Sequence, residues 1–114
     1  MRCIRIGTFP SFDREFKRLA KKYKSLTQDL QILVNELRDN PYLGTDLGNG
    51  LRKVRMAIAA KGKGKSGGAR VITFSVIISS TDADIKLLII YDKSERETIT
   101  DKELRELLKR NGVL

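Results

Sequence analysis

The sequence contains no histidine and no tryptophan. Without histidine there is no imidazole general base, and the commonest metal ligand in proteins is missing. Any chemistry the chain performs near neutral pH must therefore rest on Lys, Arg, Tyr or acids. A lone cysteine, Cys3, cannot found a disulfide framework and reads as a small buried apolar residue sooner than as a nucleophile, which favours the cytoplasm. No apolar run reaches membrane-spanning length, and the opening MRCIRIGTFP is too short and too interrupted for a signal peptide, so no membrane partner is expected. Acids are missing over a long stretch. None lies between Asp46 and Asp82, where seven cations stand unopposed: Arg52, Lys53, Arg55, Lys61, Lys63, Lys65 and Arg70. Aromatics are scarce too, four Phe and three Tyr, mostly at core spacing, which argues against a single-strand binder built on stacking platforms.

What is present points to a folded, strongly basic body. Apolar residues make up 40% and charged residues 32% of the chain, which is ordinary globular composition and excludes wholesale disorder. At 114 residues the expectation is one domain, residues 1–114, with a single function-bearing core. A net charge of +9 on so small a body attracts polyanions.

The pattern of apolar residues gives an element order. Residues 2–7 alternate as a short strand. Phe12, Phe16, Leu19, Ala20 and Tyr23 recur at helical spacing, with Arg14, Lys17, Arg18, Lys21 and Lys22 facing away. Ser25 and Gln28 have capping-box spacing before a second helix, marked by Leu26, Leu30, Leu33, Val34 and Leu37, that stops before Pro41. Residues 40–50 are turn-rich. They lead into a strand that buries Val54, Met56 and Ile58 and presents Lys53 and Arg55 on its other face. After a flexible loop over residues 61–68, ARVITFSVII and IKLLIIYDK are apolar at nearly every position and read as central strands joined by an SSTDAD turn. Thr100 and Glu103 form a capping box, Ile99 and Leu104 a staple, and Gly112 a C-cap for a last helix. The predicted class is α+β, two N-terminal helices packed on a mostly antiparallel sheet in the order β-α-α-β-β-β-α.

The GKGKS at residues 62–66 invites a phosphate-loop reading, but the full motif needs a glycine at position 59, where the chain has Ala59, and a strand follows instead of a helix. The weaker reading is a loop whose Lys61, Lys63 and Lys65 grip a nucleic-acid backbone through salt-sensitive phosphate contacts. Asp82 and Asp84 read as turn residues, so no metal site and no cofactor are assigned.

GLRKVRM (50–56), KGKGKSGGARVI (61–72) and YDKSERETITD (91–101) resemble the RelE/HigB-type toxins of toxin–antitoxin systems, within the RelE/ParE superfamily. The KGKGKSGGARVI block is the most distinctive part. The resemblance implies a compact sheet with two N-terminal helices, cleavage of mRNA in the ribosomal decoding site with loss of translation, and a cognate antitoxin partner. Some HigB-like members carry histidines near the positions of Lys93 and the loop lysines; this chain departs from them, which leaves the identity of the base open.

The reaction expected on that basis is metal-independent endoribonuclease cleavage by attack of the RNA 2′-hydroxyl on the adjacent phosphate. Arg55 and Arg70 would neutralise the transition state through bidentate guanidinium contacts. Lys63 or Lys65, crowded by like charges, would be the base; Tyr91 would stack or donate a proton, with Lys93 beside it. Arg52, Lys53 and Lys61 would bind the RNA backbone. Two other functions fit the same residues: a ParE-like inhibitor of a topoisomerase and a non-catalytic nucleic-acid-binding module. The partners expected are an antitoxin that is acidic or covers the cationic sheet face, mRNA and the ribosome.

Overall fold

The computed structural model describes residues 3–113. Its elements are β1 (Cys3–Thr8), α1 (Pro10–Lys22), α2 (Leu26–Asp39), β2 (Thr45–Gly48), β3 (Leu51–Met56), a 3-10 turn (Ala59–Lys61), β4 (Ala69–Ile77), β5 (Asp82–Asp92) and α3 (Asp101–Arg110). The strands form one sheet in the order β1-β5-β4-β3-β2, with β1 parallel to β5 and the other neighbours antiparallel. This is the expected α+β architecture with one strand added. β2 lies inside the segment read as turns: four residues that include a glycine and an aspartate carry no alternation to reveal a strand. It closes on β3 through Gly48, Asn49 and Gly50, all at positive φ.

Local chemistry explains the helices. Pro10 begins α1, Asp13 lies in its first turn and Lys21 and Lys22 in its last, matching the helix dipole. The capping box expected at Ser25 and Gln28 is not made. Ser25 has helical backbone angles, and its hydroxyl donates to the buried carboxylate of Asp29 at 2.7 Å. At α3 the capping box of Thr100 and Glu103 is complete. Its C-terminus closes as a Schellman motif, Val113 N–H to the Leu108 carbonyl and Gly112 N–H to that of Lys109, with Gly112 at φ +77°.

Each sheet face buries a core. Phe12 and Leu19 of α1 and Leu26, Leu33 and Leu37 of α2 pack on Val54, Met56, Val71, Ile85, Leu87 and Ile90. On the other face Leu104, Leu107 and Leu108 of α3 cover only part of the sheet, around Leu51, Ile72 and Leu88. Burial on both faces is why β5 and the first half of β4 read as continuous apolar runs, whereas Val76 and Ile77 at the end of β4 are exposed. Ile58 lies beyond the end of β3 yet joins the first core. Lys61 belongs to the 3-10 turn and not to the loop, and Asp82 and Asp84 lie within β5, so the β4–β5 turn is confined to residues 78–81. Cys3, expected to be buried, is exposed; Arg2, at the start of the predicted first strand, lies outside the described residues.

One irregularity in β5 decides where its last side chains point. Ile72 pairs with Ile89, but Thr73 pairs with Leu87, leaving Leu88 as an extra residue in β5. Before this bulge the odd-numbered Ile85 and Leu87 face the α1/α2 core; after it the even-numbered Ile90 does. Tyr91 is thereby turned to the opposite face.

Candidate functional site

The register aligns three of the predicted site residues in one row across the sheet. Arg55 of β3 pairs with Arg70 of β4, and Arg70 with Tyr91 of β5. Directly opposed residues share a face, so two guanidinium-bearing side chains stand side by side on the face that α3 leaves partly open. Like charges so placed repel each other. The fold tolerates this pair; it gains nothing from it.

Around the row lies a cleft of about 510 Å³, lined by Lys53, Arg55, Lys65, Arg70 and Lys93 together with Leu43, Gly44, Thr45 and Val54. Its size suits a small ligand or one unit of a polymer. Five cations line it, and among the described residues only Lys65 of the five has a carboxylate partner, Glu36 of α2 at 2.9 Å. Lys93 donates to the Glu97 carbonyl at 3.3 Å, and its backbone N–H donates to the Gly68 carbonyl at 3.1 Å, fixing the end of β5 to the loop. Among the described residues no group of three acids or cysteines is placed to share a metal ion.

Arg70 is buried, 6% exposed, and three of its five N–H donors are already committed. One terminal nitrogen donates to the carbonyls of Lys65 at 3.0 Å and Ala69 at 3.1 Å, the other to that of Ser66 at 3.3 Å. A guanidinium carries about five N–H groups, so roughly two remain for an anion in the cleft. Arg70 thus both shapes the lysine loop and faces the space beneath it.

Two glycines make the walls possible. A Cβ on Gly68 would lie 2.1 Å from the Met56 carbonyl oxygen, and one on Gly44 would lie 2.5 Å from the Lys53 carbonyl oxygen. Gly44 is also at φ +96°. Larger residues at either position would force β3 away from its neighbours.

Tyr91 is buried, 4% exposed, and its hydroxyl has no hydrogen-bond partner among the described residues. It does not line the cleft. The guanidinium of Arg96 lies over its ring at 5.7 Å and is held there by Glu103 at 2.6 and 2.8 Å and by the Thr98 carbonyl at 3.0 Å. Burial pushes the Tyr91 phenol above its ordinary range, and the charges of Arg70 and Arg96 draw it part of the way back. At neutral pH the phenol is protonated.

The remaining predicted residues stand apart. Arg52 points to the other face, where it donates to the Tyr42 carbonyl at 3.0 Å, stacks on the Tyr42 ring and lies 3.8 Å from Asp46. Strict alternation along β3 already separates it from Lys53 and Arg55. Lys61 is turned inward, 2.8 Å from the buried Asp92 carboxylate. Lys63 is exposed at the loop tip, its stem against Gly67, and is not among the residues lining the cleft. Sequence reasoning missed Glu36, Arg96 and Asp92. Of these only Asp92 leaves a trace, as a carboxylate ending an apolar strand.

Among the described residues no helix is long and apolar enough to cross a membrane. A family model for the RelE toxin of the RelE/RelB toxin–antitoxin system matches residues 12–113. That match runs from the first turn of α1 to beyond α3 and takes in every residue lining the cleft, so the chain belongs to the RelE toxin family.

Proposed function

We propose that this toxin is a metal-independent endoribonuclease whose substrate backbone occupies the cleft between the lysine loop and β3. The observation that carries the reading is the unneutralised row of Arg55 and Arg70, with Lys53 and Lys93 beside it. Such a cluster is unfavourable within the protein and is relieved by an external polyanion. The RNA 2′-hydroxyl supplies the nucleophile, so the protein needs to orient the phosphate and neutralise charge as it develops. Arg55 and the free N–H groups of Arg70 hold the phosphate oxygens. Lys65 or Lys63 takes the proton of the 2′-hydroxyl when in its neutral amine form, Lys65 after parting from Glu36. Tyr91, kept neutral by burial, supplies a proton to the departing 5′-oxygen once the Arg96 cover shifts. As a toxin of a toxin–antitoxin system the chain has a cognate antitoxin as its partner. An acidic antitoxin segment laid over Arg55 and Arg70 would occupy the same cleft as the RNA, and mRNA on the ribosome is the substrate we favour.

Induced expression of the wild type and of Arg70→Ala, with growth followed beside primer extension on cellular mRNAs, tests this. Growth arrest with new internal 5′ ends, both lost in the variant, is the expected result. Arrest with intact mRNA would move the function to topoisomerase inhibition, and full toxicity of Arg70→Ala would remove the site.

A further inference from the structure

Asp92, the last residue of β5, is fully buried yet ionised, and its carboxylate gathers partners from three parts of the chain. One oxygen accepts from the Lys61 ammonium at 2.8 Å and from the Ser94 backbone N–H and hydroxyl at 2.9 and 2.8 Å; the other accepts from the Tyr23 hydroxyl at 2.5 Å. Lys61 is itself largely buried and sits over the Tyr23 ring. It ends the 3-10 turn, whose own N–H groups are taken by Asp29, from Ala59, and by Ser25, from Ala60.

The lysine loop begins at the next residue, Gly62, and returns at Gly68, whose carbonyl accepts from Lys93, the neighbour of Asp92. Both ends of the loop are therefore pinned to the same two residues at the end of β5. Between the pins, the carbonyls of Lys65 and Ser66 hold the guanidinium of Arg70.

We propose that Lys61 and Asp92 are a positioning pair for the cleft, setting the loop conformation that presents Lys65 and orients Arg70. This rests on the reading of the cleft as the RNA site. A buried ion pair is a poor device for stability alone, because desolvation offsets most of its attraction and an apolar pair of like volume serves as well or better. What a hydrogen-bonded pair supplies is direction. Four bonds to one carboxylate fix where the loop departs from the strand, and a misplacement of about 1 Å at a site remote from the reacting atoms can cost on the order of a hundredfold in rate. The pair accounts for Lys61 without any contact to RNA.

The test is a double-mutant cycle with Lys61→Met, Asp92→Asn and the two combined. A fourth protein, Lys61→Met with Asp92→Leu, replaces the pair by apolar side chains and is expected to melt near the wild type even where a single variant leaves an unpaired buried charge. Each is assayed by single-turnover cleavage of an mRNA on programmed ribosomes, reading the rate at saturating toxin and the toxin concentration giving half that rate. The expected result is a saturating rate lowered about tenfold or more in all four, half-saturation within about threefold of the wild type, and a double variant no worse than the worse single one, as for residues acting as a unit. A folded apolar-pair protein cleaving at the wild-type rate would overturn the proposal. So would additive losses, or a loss confined to Lys61→Met and to half-saturation, which would make Lys61 a direct RNA contact. If the wild type cleaves nothing, the nuclease reading itself has failed, and this proposal falls with it.

Discussion

Replacing Gly68 by alanine adds one methyl group at the tightest backbone approach around the cleft. Its Cβ would lie 2.1 Å from the Met56 carbonyl oxygen and 3.0 Å from both Ala57 Cα and Ile58 N, all main-chain atoms that cannot rotate away. To restore ordinary contact, the start of β4 must move from the end of β3 by about 1 Å, a strain of the kind that costs on the order of 1–3 kcal/mol in packed interiors. For a chain of this size that corresponds to a fall in melting temperature of roughly 4–13 °C. The same movement carries the Gly68 carbonyl away from the Lys93 N–H and loosens the carbonyls that hold Arg70. Cleavage measured well below the melting point should therefore fall on the order of a hundredfold, more than the stability change alone would give. Gly64→Ala is the control. Nothing lies within 4 Å of its added Cβ, and only its positive φ of +64° is strained, so about 1–2 kcal/mol is lost and cleavage survives. The measurements are thermal melts by circular dichroism and single-turnover cleavage. A Gly68→Ala protein melting within about 2 °C of the wild type and cutting normally would refute the argument that this approach shapes the cleft.

Tyr91→Phe removes a buried hydroxyl that has no hydrogen-bond partner among the described residues, so it should raise stability by up to about 1 kcal/mol in urea titrations while lowering cleavage if the phenol donates the proton. A variant both more stable and fully active would assign Tyr91 to packing alone. Arg55→Ala relieves the repulsion opposite Arg70, so its melting point should hold or rise slightly while cleavage drops on the order of a hundredfold. An equal fall in both would mean that Arg55 is structural. Asp92 is held far below the ordinary carboxylate range: burial alone would push it up, but Lys61, Tyr23 and Ser94 overcome that. The unfolded chain therefore takes up a proton at Asp92 near pH ~4 while the folded chain does not, and this contribution to stability, full above that pH, fades as the medium is acidified. Asp92→Asn should flatten the acid limb of a stability-against-pH curve; an unchanged limb would place acid sensitivity elsewhere.

How much of the structure is legible in the sequence differs from element to element. α3 was legible in full, because its start and stop are written in adjacent residues: Thr100 with Glu103, Ile99 with Leu104, then Gly112. The central strands were legible from their apolar runs. β2 was not, since its pairing is supplied by β3 and by a turn of three positive-φ residues. Within the site, Arg55 and Arg70 could be chosen by residue type, but their side-by-side placement follows from register, which depends on the loop between β3 and β4. Lys61 was misread for a related reason. It belongs to the same unopposed run as Lys63 and Lys65, and the acid that neutralises it lies 31 positions away in the sequence.

The extra residue at Leu88 has a consequence for how this chain can vary. A strand with period two keeps count, and the bulge is where the count changes by one. Side chains on either side of it can be exchanged with modest effect as long as apolar replaces apolar. The number of residues cannot change. Deleting one between Ile85 and Ile90 would leave composition and hydropathy almost untouched, yet it would turn Tyr91 in towards α1 and α2 and bring Asp92 out into the cleft, among its cations. Relatives that share this cleft should accordingly differ freely in sequence along the strand while agreeing in its length.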